Sequence, residues 1–492
     1  MLERFLARLT PVSFVLEETP WRQFHMSRHT GNMSGRTWLV YLVSAALTLT
    51  FFASGLWPQI ASPASAQVIM TGTAADSINA KWLALGGTQG VLGPAVSDVQ
   101  TFAVAGAQVR YFQNGAIIWS ASTGAHDVYG EIFRRYTALP AYSRSQIGLP
   151  TSGETDGFSS GSRMNRFQNG AIIWSASTGA HDVYGEIFRR YTALPAYSRS
   201  QIGLPTSGET DGFSSGSRMN RFQNGAIIWS ASTGAHDVYG EIFRRYTALP
   251  AYSRSQIGLP TSGETDGFSS GSRMNRFQNG AIIWSASTGA HDVYGAIMAR
   301  YSSLGNAVAT LGLPTSGEKA AFGGRMNTFT GGNVTWNANT GQTTVTYYSN
   351  LRHPRTGQPF YPNVIRWAPT ASHVLADTNI DLAYLPGVLA QVQQESAGNP
   401  NAVNDWDSNW RAGIASFGLL QTIAPTYQRY APPGQRGQLQ YVVVNGVSQQ
   451  YVPEMVVPYN NLYAGINYAI SVYGVSRLEL WRSGVNQAFS VQ

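Results

Sequence analysis

Glu395 is the residue best placed for acid–base chemistry. Leu385, Val388, Leu389 and Val392 precede it at helical spacing, and Ser396-Ala397-Gly398-Asn399-Pro400 follows. The spacing predicts a helix with Pro386 in its first turn, stopped at the Gly–Pro stretch. A carboxyl at the end of a largely buried helix is only partly solvated. Desolvation disfavours its charged form and raises its pKa, as a general acid at neutral pH requires. Two later segments could serve it. In Phe417-Gly418-Leu419-Leu420-Gln421, the glycine permits close backbone approach and the Gln421 amide can reach polar substrate atoms. Asn461–Ala469 reads as a helix with Leu462, Ile466 and Ala469 on one side, Gly465 at a close contact and Tyr468 as a candidate aromatic. Asp405 and Asp407, between the first two segments, read as loop charges or turn caps. Either one, if it reached the groove, would activate water.

These elements need a scaffold, and the chain is long enough for one. Its 492 residues, 43% apolar and 12% charged, imply two or three folded domains and exclude a disordered chain. The net charge of +7 is scattered among acids, which excludes a nucleic-acid-binding stripe and fits mild attraction to an anionic envelope. The absence of cysteine excludes disulfides, Cys metal sites and thiol catalysis. The reading calls for no cofactor and no metal.

Trp38–Trp57 is an uncharged apolar run preceded by Arg22, Arg28 and Arg36 and followed by Ala64-Ser65-Ala66. This pattern predicts a signal peptide over 1–66, with Gln67 as the first mature residue; Met26 or Met33 as the start would make it a more ordinary one. An uncleaved anchor through residues 38–57 is the other reading. Both place the rest of the chain outside the cytoplasm, either secreted or tethered to the membrane.

Between these regions, Phe112–Arg166, Phe167–Arg221 and Phe222–Arg276 are one 55-residue block repeated without change, with a truncated copy over Phe277–Gly295. A fixed period of this size means a modular array. The unit reads as a helix near Val128–Leu139, a loop at Ile147-Gly148-Leu149-Pro150 and a hairpin turning at Gln168-Asn169-Gly170. The outline fits five times over 67–345, with tryptophans at 119, 174, 229, 284 and 336. Five such units predict a closed, propeller-like array, with an open solenoid as the alternative. The tryptophans read first as core and second as a sugar-stacking platform. His126, His181, His236 and His291 recur once per unit, poor spacing for a metal, and read as structural hydrogen-bonding groups. Residues 346–384 read as a linker or strap, and 385–492 as an all-α domain.

Leu-Gly-x-Pro, Gly-Ala-Ile-Ile-Trp and Ser-Thr-Gly-Ala-His-Asp-Val-Tyr-Gly resemble the LGFP repeats of actinobacterial cell-wall proteins. That resemblance implies attachment to wall polysaccharide such as arabinogalactan. The order Glu-Ser, Gly-Leu-Leu-Gln, Asn-x-x-x-Gly-x-x-Tyr resembles the lytic transglycosylase domain of the lysozyme-like superfamily, although the later Ala-Tyr-Asn motif is missing after Tyr473. It implies cleavage of the N-acetylmuramic acid–N-acetylglucosamine bond of peptidoglycan with a 1,6-anhydro product. Glu395 would be catalytic, and Ser396, Gly418, Leu419, Gln421 and Tyr468 would bind substrate. A hydrolytic muramidase and a non-catalytic wall-binding protein are the alternatives.

Overall fold

The computed structural model describes residues 73–104, 106–305 and 308–483. The expected signal peptide and the apolar run at 38–57 lie outside them. Among the described residues no helix is long and apolar enough to cross a membrane.

Each repeat builds a sheet of four antiparallel strands in sequence order. In the second unit these are Thr155–Asp156, Arg163–Phe167, Gly170–Ser175 and Gly179–Tyr184. The third strand, Gly-Ala-Ile-Ile-Trp-Ser, has a neighbour on each side and is buried along almost its whole length. A continuous β-branched run suits a strand covered on both faces. Its Trp174 lies opposite Arg163 on one neighbour and Ala180 on the other. The first strand is only two residues long and exposed, which leaves little free edge.

After the fourth strand comes helix Gly185–Ala193, whose buried Ile187 and Tyr191 face the next unit. It packs on the third and fourth strands of that unit. The Tyr191 ring lies 4.8 Å from the Phe222 ring, and its hydroxyl donates to the Gly203 carbonyl at 3.0 Å. An aspartate completes each joint. Asp182, 2% exposed, accepts from Arg135 Nε at 2.8 Å, while its backbone carbonyl accepts from Asn220 of the following unit at 2.8 Å. The same joint recurs with Arg190, Asp237 and Asn275, and with Arg245, Asp292 and Asn327.

The expected helix-plus-hairpin unit is therefore corrected to a four-stranded sheet with bridging helices. The Gly-Ala-His-Asp-Val-Tyr segment that precedes the helix forms a strand along the central Ile-Ile-Trp strand, and Val128 belongs to it. The expected closed, propeller-like ring is also corrected: among the described residues the five sheets stay separate and none joins a barrel or propeller. Each end of the array is covered by a helix. Helix Ala74–Ala84 packs on the first sheet, and helix Ala368–Asp377 packs on the last. At that last contact Lys319 Nζ lies 2.6 Å from Asp377 Oδ1, and Thr328 hydrogen-bonds His373.

The C-terminal region is not the expected all-α, lysozyme-like domain. Its helices pack around a core containing Val374, Leu385, Leu389, Leu419, Leu462, Ile466 and Trp481, and a second cluster gathers Phe417, Tyr427, Val452, Met455 and Ala464. Two short ladders accompany them, Ser416–Phe417 with Thr422–Ile423 and Gln440–Val444 with Val447–Tyr451. The second is a hairpin whose Asn445-Gly446 turn takes positive φ at both residues, as a tight hairpin turn requires. Tyr348, Phe360, Val364 and Ala371, from the stretch read as a linker or strap, lie in the same core.

Candidate functional site

Helix Leu385–Ser396 buries Leu385, Val388, Leu389 and Val392, which leaves Glu395 half-buried at its last turn. Gln391, one turn earlier and fully buried, donates from Nε2 to Glu395 Oε1 at 2.6 Å. Ala397 and Gly398 then turn the chain through left-handed backbone, at φ 50° and 80°. The Gly398 carbonyl accepts from the Trp367 indole at 2.9 Å and from Arg366 at 3.3 Å. Both ends of the carboxyl's support are thus held.

Ser396 connects this helix to the second segment. Its hydroxyl oxygen lies 3.0 Å from the Val392 carbonyl and 2.9 Å from the Leu419 carbonyl, and accepts from the Gly398 amide at 3.2 Å. The hydroxyl therefore holds the chain itself. Gly418, at φ 84°, has no room for a side chain: a Cβ would lie 2.3 Å from Asn461 Nδ2. Leu419 is fully buried. Gln421 turns its amide back, donating to the Ala402 carbonyl at 3.1 Å and the Gly418 carbonyl at 2.8 Å.

Asn461, fully buried on helix Pro458–Tyr473, secures the same loop from the other side. Its Oδ1 accepts from the Leu420 amide at 2.7 Å, and its Nδ2 donates to Phe417 O at 2.9 Å and Met455 O at 2.9 Å. Gly465, four residues on, gives Leu420 its space; a Cβ there would lie 2.7 Å from Leu420 Cδ1. Tyr468 and Gln421 line one small pocket with Ser416, Thr422 and Thr426, and Glu395 is not among its lining residues. The Tyr468 ring meets Tyr430 edge-on at 5.4 Å, and its hydroxyl lies 3.2 Å from that of Tyr473. Burial, then the Tyr473 hydroxyl, pushes the Tyr468 phenol up to about 12, so it stays neutral at physiological pH.

Both aspartates of the intervening loop are engaged in structure. Asp407 caps helix Ser408–Arg411 by accepting from the Trp410 amide at 2.8 Å, and Asp405 accepts from Asn445 at 2.6 Å. In the repeats, the tryptophans are half-buried against the sheet cores. Each repeat histidine bonds a threonine carbonyl through Nε2, at 2.6 to 2.7 Å. Two supporting residues escaped the sequence reading. Gln391 stands four residues before Glu395, a spacing that pairs helical side chains. Asn461 was visible only as the first letter of its motif.

Five segments, residues 92–141, 147–196, 202–251, 257–307 and 311–350, match the LGFP repeat, so the chain carries five LGFP repeats. Such repeats indicate a cell-wall or surface-associated role. Among curated proteins, the uncharacterized protein YqbO of Bacillus subtilis (strain 168) is 36% identical over 112 residues, which are 23% of this chain and 6% of that protein. Among solved structures, the AfRom2 CNH domain aligns over 51% of this chain and 84% of its own, at 7% identity and a TM-score of 0.13. Apo AztD from Citrobacter koseri aligns over 52% of this chain and 60% of its own, at 10% identity and a TM-score of 0.12.

Proposed function

We propose that the C-terminal region cleaves peptidoglycan glycan strands as a lytic transglycosylase, held at the wall by the repeats. Glu395 protonates the glycosidic oxygen between N-acetylmuramic acid and N-acetylglucosamine as the C1–O bond breaks. The resulting carboxylate then takes the proton from the C6 hydroxyl of the same muramic acid residue. O6 bonds to C1, a 1,6-anhydro ring closes, and Glu395 is again protonated. No water is consumed and no second carboxylate is needed, unlike the two-carboxylate hydrolases.

The observation that carries this reading is the convergence of three separated segments. Ser396 is bonded to Leu419 and Leu420 to Asn461, so the end of the Glu395 helix, the Gly418–Gln421 loop and the Asn461 helix meet. Asp405 and Asp407 are occupied by Asn445 and by a helix cap, which favours ring closure over attack by activated water. The cell-wall or surface-associated role of the repeats supports this reading, since tethering beside such a polymer raises the effective substrate concentration.

The test is digestion of purified peptidoglycan with mass spectrometry of the fragments. Anhydro ends are expected, each lighter by one water than a hydrolysed end. Glu395→Gln should abolish cleavage, while Asp405→Asn and Asp407→Asn should retain it. Hydrated reducing ends, or unchanged cleavage by Glu395→Gln, would overturn the proposal.

A further inference from the structure

Where one repeat meets the next, the structure opens a cleft of about 590 Å³. Tyr197 stands on one wall, on the short helix Ala196–Ile202, and its side chain is left 70% exposed. Tyr239 and Arg244 come from the following unit, and Arg273 and Trp284 from the one after it. Arg273 and Trp284 are direct cross-strand partners, so the cation and the indole share a sheet face. The volume falls in the ordinary range of small-ligand sites, and the lining mixes aromatic rings with a few polar groups.

The charges of the cleft are already matched. Arg244 pairs with Glu241 on its own helix. Arg273 pairs with Glu264 at 2.9 Å and also with Asp266. A site for phosphate or carboxylate would present cations without partners. Here the guanidinium and carboxylate groups can instead donate to and accept from hydroxyls, beside rings suited to the apolar faces of sugars.

The lining residues of the cleft also recur. One period earlier stand Tyr142, again 70% exposed, with the pairs Arg189–Glu186 and Arg218–Glu209 and Trp229. One period later stand Tyr252, 66% exposed, with Arg325–Glu318 and Trp336, while Ala296 and Ala299 replace the helical ion pair. We propose that these clefts between units are successive subsites for one neutral polysaccharide strand, each taking sugar rings beside its tyrosine and tryptophan. This rests on the wall-associated role of the repeats and locates the contact. Sites of modest individual strength on one array give strong binding to a polymer and weak binding to a short oligosaccharide.

The test uses the full chain with three probes: purified arabinogalactan-bearing cell walls, neutral arabinogalactan released from them, and polygalacturonate as an anionic polymer of similar length. Cosedimentation or affinity electrophoresis gives the affinities. Tyr142→Ala, Tyr197→Ala and Tyr252→Ala remove exposed rings, and circular dichroism verifies that the triple variant stays folded. The triple variant should lose at least tenfold in affinity for the neutral polymer, and Tyr197→Ala alone about two- to threefold. Wall binding by the triple variant equal to that of the unaltered chain would overturn the cleft assignment and leave wall association standing. So would tighter binding of polygalacturonate than of arabinogalactan, or binding to walls but not to the neutral polymer. Failure of the unaltered chain to bind walls would remove the underlying reading as well.

Discussion

The Ser396 hydroxyl oxygen and the Leu419 carbonyl oxygen, 23 residues apart in sequence, lie 2.9 Å from each other. That contact fixes the end of the Glu395 helix against the loop that carries Gly418 and Gln421. Ser396→Ala leaves the Leu419 carbonyl without this donor, at a cost of about 1–3 kcal/mol where the site excludes water. Faster amide exchange around residues 417–421 should report it. The proposed cleavage of peptidoglycan should fall while wall binding stays unchanged.

Gly418→Ala should be more damaging. Its φ of 84° is strained for any side chain, and the new Cβ would meet Asn461. Displacing Asn461 would release the Leu420 amide and the Phe417 carbonyl together. A loss of about 2–4 kcal/mol is expected from the combined strain and overpacking. Urea denaturation, followed by hydrogen exchange in the C-terminal region, measures it.

The joints between repeats depend on their arginines. Arg190 approaches Asp237 Oδ1 through both Nε and Nη2, at 2.7 and 2.6 Å, and that aspartate is 2% exposed. Arg190→Ala would leave a buried carboxylate without its cation, a change costing about 3 kcal/mol at the lower end of the range for buried pairs. The readout is protease sensitivity, which should rise at this joint and remain unchanged at Arg245–Asp292. Equal sensitivity at both joints would count against the account.

The contact between the last repeat and the C-terminal region should weaken in acid. Burial, reinforced by Lys319, pushes the His373 imidazole down to about 4; His291 acts in the same direction and Asp377 opposes. The ring is therefore neutral in the folded chain, hydrogen-bonded to Thr328. An unfolded histidine takes up its proton near pH 6.5. The folded form thus has this stability in full above about pH 6.5 and loses it as pH falls toward 4. The loss is at most about 3 kcal/mol. Hydrogen exchange at the Lys319–Phe329 strands, compared at pH 7 and pH 5, should show the contact loosening, and His373→Gln should flatten the difference.

The three motifs of the candidate site were legible because each is local and they follow in order. Their meeting point depends on bonds between residues far apart, such as Leu420 with Asn461, and no spacing announces those. The repeat period was visible at once, but the unit was undercounted in strands. Gly124–Tyr129 carries small and polar residues with no clean alternation, and it is a strand because Gly115–Ser120 pairs with it along its length. Thr155–Asp156 is too short to leave any pattern. The helix was placed early because Val128 falls in phase with Ile132 and Tyr136, although a strand supplies the first of them. Closure of the array could not be read from the units, because it depends on what covers the two ends.

The aspartate joints of the array have a genetic consequence. Arg135–Asp182, Arg190–Asp237 and Arg245–Asp292 are the same bond with the same separation of 47 residues. Excision or insertion of one whole 55-residue block, as in unequal recombination between copies, recreates an identical interface at the splice. The gene can therefore lengthen or shorten this array without redesigning any surface, and so change how many inter-unit joints it carries.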